Sequence, residues 1–420
     1  MTHALPGQLV RMGARGGDLQ SRLVEQSRTG STDSLSPLFE QIRAAGPLAR
    51  AKFCSITVKH AAVREVLTSN DFATGIAPSA GGLAAKLLAW SARDGQHPLA
   101  PPSLLVSEPP DHTRYRKLVS KVFTARAVER LRGRTEQIAS ELLDQLRTGT
   151  DVDLVQLYCA KLPVNVIAEI LGVPPGDRDY VSRLGSAAAA SLDMGLSWRQ
   201  FRHVESALDD FGAWLQEHIE RLRRNPGTDL LSELVAARED GIGLSDRELN
   251  SIAGLVLAAG FETTVNLLSN AINALSVHPD QLALARARPQ LWSGVVEEVL
   301  RSDPPVLLTS RTATTNTTIV GQAVQKGTLV LTVLAGANRD PEVFADPNSF
   351  DITRVNARDH LAFSAGRHYC LGAALARMEG EVGLRLLYER FSEVELLPGA
   401  RRRSTRVLRG WAQLPARLNS

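Results

Sequence analysis

The chain has 420 residues, of which 44% are hydrophobic and 22% are charged, with 32 glycines and 21 prolines. This is the composition of a folded globular protein, and it excludes a disordered or collagen-like chain. The formal net charge of +3 is too balanced to indicate nucleic-acid binding, so no nucleic-acid partner is expected.

The three cysteines, Cys54, Cys159 and Cys370, are odd in number and far apart in the sequence. Such usage disfavours a disulfide framework and fits a reducing compartment. The N-terminus carries Arg11 and Arg15 where a secretory signal needs an apolar stretch. No window approaches the ~18–20 uninterrupted apolar residues of a membrane span. We therefore expect a cytoplasmic protein without a membrane span.

Hydrophobic periodicity predicts a mainly α chain with a minor β region, built as a single domain over residues 1–420. The first 35 residues or so are polar and turn-rich, which indicates a loosely ordered N-terminal segment. Strand patterns occur at 51–59 and 306–334, and a glycine-, alanine- and proline-rich stretch at 72–102 is typical of a lid or binding loop. Helical patterns cover 36–43, 61–68, 126–146, 162–171, 201–223, 230–238 and the stretch from Gly372 to about Phe391.

The most clearly marked helix is a long central one over about 245–277. Ser245 followed by Glu248 forms a capping box at its start, and His278 and Pro279 end it. Its middle is apolar nearly all round, which indicates a buried helix.

Three polar residues, Glu262, Thr263 and Thr264, nevertheless occupy the centre of this helix. Buried polar side chains cost stability unless they are paired or used. Two explanations remain open from the pattern alone. Either the threonines bond back to their own helix and Glu262 meets an arginine, or these groups act in catalysis.

Cys370 lies just ahead of the last helix, between Gly366 and Gly372. A position near a helix start and near Arg367 predicts a lowered thiol pKa. The thiol fits three uses: a buried structural cysteine, a nucleophile with His368 as its base, or the ligand of a single metal. A zinc site is disfavoured because no second cysteine or histidine pair has ligand spacing.

The run FSAGRHYCLG at 363–372 resembles the haem-ligand loop F-G-x-G-x-H-x-C-x-G of the cytochrome P450 monooxygenases, with Ser364 at one glycine position. Three further matches follow the order of that family: AGFETT at 259–264, EVLR at 298–301, and NRDP at 338–341 followed by 350–354. Together they extend the resemblance over nearly the whole chain.

This resemblance implies the P450 fold, a triangular helical prism around the long central helix. It also implies haem b (heme, iron protoporphyrin IX), with Cys370 as the axial thiolate and metal ligand. The residues that it assigns to the cofactor propionates are His112, Arg116, Arg311 and His368. A second set, Glu298, Arg301 and Arg354, is implied to be structural.

For the central helix, the resemblance implies that Thr263 and Glu262 are catalytic. Oxygen reduction in a dry pocket needs protons, which a hydroxyl and an adjacent carboxylate can deliver. Gly260 is expected on the cofactor side, where it would remove side-chain bulk, and Thr263 is expected to loosen the helix locally.

The implied function is a monooxygenase that inserts one oxygen atom from O2 into a lipophilic small-molecule substrate. Because the chain contains no G-x-G-x-x-G motif opening a βαβ unit, electrons are expected from a ferredoxin (or flavodoxin) and its NAD(P)H-dependent reductase. Arg367 and Arg377 either form a docking face for that carrier or make local salt bridges. A monomer is expected.

Three alternatives remain: a peroxide-dependent haem-thiolate oxygenase, a non-catalytic haem-binding sensor protein, and a Cys/His hydrolase. The Glu262–Thr263 pair favours O2 chemistry over the first two. The expected pocket walls are apolar and small, which suits a neutral lipophilic substrate. They are the 72–102 stretch, residues 187–196, Leu257, Ala258, Ala259, and residues 306–309.

Overall fold

The computed structural model describes residues 14–28, 31–74, 101–192, 198–238 and 241–419. These residues form a helical body with small peripheral sheets. The α-helices are α1 (Leu19–Gln26), α2 (Thr32–Ala44), α3 (His60–Thr68), α4 (Asp111–Val122), α5 (Ala125–Asp144), α6 (Lys161–Ile170), α7 (Arg178–Ala189), α8 (Trp198–Arg224), α9 (Leu230–Ala236), α10 (Asp246–Val277), α11 (Pro279–Ala287), α12 (Trp292–Ser302), α13 (Leu334–Ala337) and α14 (Ala373–Arg390).

The strands are short and mostly antiparallel. They are β1 (Ala49–Arg50), β2 (Ser55–Thr57), β3 (Phe72–Ala73), β4 (Asp151–Asp153), β5 (Thr309–Ala313), β6 (Thr317–Ile319), β7 (Gln322–Val324), β8 (Leu329–Thr332), β9 (Glu393–Leu396), β10 (Arg401–Arg402), β11 (Trp411–Gln413) and β12 (Pro415–Asn419). The largest sheet has the order β1-β2-β8-β5-β3, with β2 and β8 parallel. A second sheet has the order β4-β12-β9, and β6–β7 and β10–β11 are hairpins.

The mainly α chain with a minor β region is confirmed, and the predicted helices occur with ends shifted by a few residues. Of the predicted strand at 51–59, only β2 (Ser55–Thr57) is a strand, because residues 51–54 form the turn that joins it to β1, closed by Ala51 N–H donating to Cys54 O. A π-helical turn over Val155–Cys159 had no sequence signal. Of the 72–102 stretch, residues 75–100 lie outside the described residues.

Helix α10 forms the centre of the body. Ser245 and Glu248 form the predicted capping box, and the helix runs without interruption for 32 residues, about 48 Å. It packs against α6, α7, α8, α12 and α14. Among the described helices, α10 is the one with the length and apolarity of a membrane span, and 65% of its apolar window is buried inside the fold. Such burial is typical of a core helix.

The N-terminal segment is packed against the body from α1 onward. We expected loose order up to about residue 35, yet Leu23 of α1 is fully buried in a cluster with Leu35 and Leu38 of α2. Polar contacts hold this region to the C-terminal part of the chain, since Arg409 donates to Ser27 O at 2.7 Å. The few apolar residues of a short, polar stretch were too sparse to predict this packing.

The EVLR motif forms the structural network that its resemblance implied. Arg301 and Glu298 are fully buried and joined by two hydrogen bonds of 2.7 and 2.8 Å. Arg354 approaches the same carboxylate at 3.3 Å. Arg301 also donates to the Pro347 and Ser349 carbonyl oxygens, which brings the 347–349 turn onto helix α12.

We expect Glu298→Ala to destabilise the fold by about 3–5 kcal/mol, because it leaves a buried guanidinium without its counter-charge. The free energy of unfolding in urea measures this. Glu342→Ala is the control, since its carboxylate is 65% exposed and pairs with Lys59 at the surface. An equal, small loss in both variants would contradict the structural role.

Candidate functional site

The cysteine loop over 363–372 is a tight turn that places Cys370 just before helix α14. Cys370 N–H donates to Phe363 O at 2.9 Å, which closes the loop. Gly366 has φ +67°, and a Cβ there would lie 2.6 Å from Leu67 O, so only glycine fits against the end of α3. Ser364 also has a left-handed backbone, with φ +63°. This conformation explains why the related motif has glycine at that position.

Cys370 differs from the other two cysteines in being accessible, whereas Cys54 and Cys159 are buried. The prediction of a lowered pKa is wrong for this structure. Although part of the residue is accessible, the surrounding protein atoms desolvate the Cys370 thiol and raise its pKa, against the opposing effects of the Gly372 N–H and the charges of Arg116 and Arg377. The positive charge that deprotonates a ligand thiol comes mainly from the metal that the thiol binds. The prediction from the sequence had attributed the lowered pKa to a nearby arginine instead.

Two histidines face each other beside this loop. The rings of His112, on α4, and His368 are 4.4 Å apart between centroids. Each has a buried Nε2 atom without a hydrogen-bond partner in the described part of the chain. Burial lowers the pKa of both, and for His368 the neighbouring Arg311 and His112 help to lower it to about 4. Two neutral rings with unused polar atoms suit an incoming anionic group.

Arg311 of β5 and Arg116 of α4 supply the cationic groups of the same cluster. Arg311 is 5% exposed, and its guanidinium donates only to neutral oxygens in the described structure, Ser310 O at 2.8 Å and Thr309 Oγ1 at 3.3 Å. Burial lowers its pKa to about 10. The charge of Arg116 acts on both His112 and Cys370. The structure therefore brings the four predicted propionate-binding residues together.

Sequence reasoning missed Glu108 in this cluster. Its carboxylate accepts from Thr74 N–H at 2.6 Å and Thr74 Oγ1 at 2.9 Å, and lies 3.1 Å from Arg367 Nε. It also lies 3.4 Å from His368 Nε2, too poorly aligned for a hydrogen bond. Burial raises the pKa of Glu108, but the Thr74 bonds and nearby cations outweigh it, so the pKa is lowered. No sequence signal was available, because Glu108 precedes α4 and its partners Thr74 and Arg367 are distant in the chain.

The polar residues of α10 are paired as the first of the two explanations predicts. Thr263 Oγ1 donates to Ala259 O at 2.8 Å, and Thr264 Oγ1 donates to Gly260 O at 3.0 Å. Glu262 is 6% exposed and pairs with Arg403 at 2.8 Å. Burial raises the pKa of Glu262, and the charge of Arg403 only partly offsets this. The raised pKa makes Glu262 easier to protonate than an exposed carboxylate, which is compatible with a proton-transfer role.

One expectation about α10 is wrong, and a second is not tested by the structure. The helix continues through Thr263, so the threonine does not loosen it. At Gly260, a Cβ would lie 3.0 Å from Ile167 Cδ1 of α6. Close packing of two helices therefore gives a reason for glycine here, and a position toward the cofactor stays a prediction.

Some residues of the expected pocket wall are buried in hydrophobic clusters, and others lie outside the described residues. Leu307 and Leu308 are buried in the N-terminal cluster with Leu35 and Leu38, so they do not line a cavity. Leu257 is buried in the central core. Most of the 72–102 stretch and residues 193–196 lie outside the described residues.

The two arginines that were candidates for a docking face make local contacts. Arg367 donates to Asn70 Oδ1 at 2.9 Å and to Phe72 O, besides pairing with Glu108. Arg377 pairs with Glu297 at 2.7 Å and donates to the Tyr369 hydroxyl at 3.2 Å. These contacts support the salt-bridge explanation for both residues and brace the cysteine loop.

Glu297 provides a pH-dependent test of this brace. Burial raises its pKa, but bonds from His360 and Arg377 outweigh it and lower the pKa to about 2. A lowered pKa contributes stability that is complete above the unfolded value of 4.5 and is lost as the pH falls toward 2. We expect Glu297→Gln to lose about 3 kcal/mol of unfolding free energy at pH 7 and less at pH 4. Urea unfolding at both pH values measures this, and a pH-independent difference would contradict it.

Comparisons with known proteins place these features in a family. A family model described as Cytochrome P450 matches residues 189–408. The putative cytochrome P450 140 of Mycobacterium bovis is 48% identical over 99% of this chain and 96% of its own length. The 6-deoxyerythronolide B hydroxylase of Saccharopolyspora erythraea is 43% identical over 74% of this chain and 77% of its own.

A solved structure agrees with them. P450BioI, in complex with an acyl carrier protein ligated to hexadec-9Z-enoic acid, superposes with a TM-score of 0.83 at 29% identity. The match covers 92% of this chain and 98% of that chain.

Proposed function

The chain belongs to the cytochrome P450 family and is a haem-thiolate monooxygenase, and from this premise we propose that it hydroxylates a lipophilic small molecule with O2 and external electrons. The observation that supports the proposal best is the joint placement of an accessible cysteine, two histidines with unused Nε2 atoms, and two arginines. Such a set suits a planar metal cofactor with anionic side chains.

In this proposal Cys370 holds the iron of haem b, and His112, Arg116, Arg311 and His368 hold its propionates. Bound haem supplies the redox centre for O2 activation, and a thiolate ligand favours O–O cleavage. The buried guanidinium of Arg311, whose described hydrogen bonds go to neutral oxygens, would gain a directly bound anionic partner, and the two imidazoles would gain hydrogen-bond acceptors.

Glu262 and Thr263 are the proposed proton-delivery pair. Glu262 touches Arg403, whose side chain is 30% exposed, so a buried carboxyl is linked to solvent through one ion pair. Burial raises the pKa of Glu262, which favours proton uptake relative to an exposed carboxylate. The Thr263 hydroxyl adjoins it along the helix and orients a proton donor toward the oxygen that is reduced.

The proposed electron donors are a ferredoxin (or flavodoxin) and its NAD(P)H-dependent reductase. Support comes from the sequence, which carries no dinucleotide-binding G-x-G-x-x-G motif opening a βαβ unit. A cytoplasmic monomer remains our expectation, for which size-exclusion chromatography is the test of oligomeric state.

The proposed substrate is a lipophilic, largely aliphatic molecule. One relative is named for hydroxylation of 6-deoxyerythronolide B, and one structural neighbour was solved with a carrier-bound hexadecenoic acid. Both names favour compounds built from acyl units over aromatic or ionic ones. A titration of such compounds, followed by the low-to-high-spin change of the haem spectrum, tests this class.

Turnover separates the proposal from its alternatives. With substrate, ferredoxin and reductase, we expect NADPH-dependent hydroxylation that requires O2. Turnover on hydrogen peroxide alone, with no gain from the electron-transfer proteins, would support the peroxide-dependent enzyme instead. Substrate binding that never accelerates NADPH consumption would support a haem-binding sensor.

A further inference from the structure

Glu108 is an acidic group inside a cluster that is otherwise built to receive anions. Its charge acts on His112, Arg311 and His368. Its side chain is 28% exposed and is fixed by three polar contacts of 2.6–3.1 Å from Thr74 and Arg367. It is therefore an ionised carboxylate held in one place.

Before the cofactor binds, this carboxylate has a clear electrostatic role. Arg311 is 5% exposed and bonds to neutral oxygens in the described structure, so its charge is poorly compensated. Arg367 lies beside it and lowers its pKa further. Glu108 is the group that acts on Arg311 with the opposite charge. Without it, the guanidinium groups of Arg311 and Arg367 would act on each other without the opposing charge that Glu108 supplies among the described residues.

After the cofactor binds, the same carboxylate becomes a third negative charge beside two propionates. The propionates would neutralise Arg311 and Arg116 directly, so the contribution of Glu108 to those cations becomes redundant. Like charges close together are unfavourable, and they are only partly screened beside residues as buried as Arg311 and His112. Glu108 therefore contributes more to the empty pocket than to the filled one.

We propose that Glu108 stabilises the haem-free pocket by supplying there the negative charge that the haem propionates supply once bound, so that it weakens haem retention. This inference rests on the proposed haem site at Cys370. By linkage, a group that stabilises the free protein more than the complex lowers the affinity of the ligand.

The test compares Glu108→Gln with the parent protein in both states. We expect the urea midpoint of the apoprotein to fall more than that of the holoprotein. We also expect haem transfer from the holoprotein to excess apomyoglobin to slow on the order of tenfold, the effect of one partly screened charge pair. Asp111→Asn is the matched control, because it removes an exposed carboxylate three residues away. It should leave haem transfer unchanged, and the loss of a first-turn charge from α4 should lower both urea midpoints equally.

A second variant separates the effect of the Glu108 charge from the effect of the Thr74 contact that fixes its position. Thr74→Val removes the hydroxyl that donates to Glu108 at 2.9 Å but keeps the carboxylate. It should not slow haem transfer. Faster haem loss from Glu108→Gln, equal losses of both urea midpoints in that variant, or slower transfer from Thr74→Val would overturn the proposal. A parent protein that shows no thiolate-type haem spectrum would instead overturn the proposed function, which is a distinct result.

Discussion

Thr263→Ala should fold, bind haem and keep its thiolate spectrum, yet convert little of the NADPH it consumes into hydroxylated product. The substitution removes one hydroxyl and one methyl group from a helix whose backbone hydrogen bonds are complete. If the hydroxyl delivers protons for oxygen reduction, that step slows by about 10²–10⁴-fold. The decrease is smaller where an ordered water replaces part of the proton transfer. Reducing equivalents then leave as hydrogen peroxide or water. The measurement is product formed per NADPH consumed, with reconstituted redox partners.

Thr264→Ala is a matched control for this experiment. Thr264 is the next residue on the same helix, is 2% exposed, and donates to its own i−4 carbonyl at 3.0 Å as Thr263 does at 2.8 Å. Both variants thus lose a hydroxyl that donates to its own helix. They differ in the side of the helix from which that hydroxyl is removed. Equal coupling in Thr263→Ala and the parent enzyme would show that this threonine is structural.

Cys370→Ser should abolish the thiolate-type spectrum of the reduced CO complex and with it all monooxygenase turnover. A serine hydroxyl is a far weaker donor than a thiolate and does not supply the electron density that favours O–O cleavage. The folded state should survive, because the thiol is accessible and its backbone N–H bond to Phe363 O is unaffected. Absorption spectra, haem content and circular dichroism together measure this.

Cys54→Ser provides the comparison, since its buried thiol lies in the N-terminal cluster away from the cysteine loop. It should keep the thiolate spectrum. A normal spectrum from Cys370→Ser would remove the ligand assignment altogether, whereas Thr263→Ala tests proton supply with iron ligation intact.

Short motifs in the sequence predicted the local features of the fold and of the site. The capping box of α10, the Glu298–Arg301 pair and the cysteine before α14 each follow from residues within a few positions of one another. The family resemblance added His112 and Arg311, which no local pattern would have joined. Both act on His368, whose ring lies 4.4 Å from that of His112 and whose pKa is lowered by the charge of Arg311.

What could not be predicted depends on contacts between distant segments. Arg403 pairs with Glu262 and Glu108 lies among the cations of the cysteine loop, and neither pairing has a spacing signal. Burial also reversed the direction of one predicted pKa shift. Proximity to Arg367 predicted a lowered pKa for Cys370, but desolvation, which a sequence does not display, outweighs the nearby positive charges.

The ion pair between Glu262 and Arg403 affects the timing of chain synthesis. Roughly 140 residues separate the two partners, so at about 5–20 residues per second the acid emerges about 7–28 s before its arginine. During that interval, α10 carries a carboxylate that is costly to bury in the ionised form. The central helix therefore cannot settle into its final packing with a charged Glu262 until the C-terminal hairpin has been made. A segment translated long after α10 thus affects when the middle of the chain can become core.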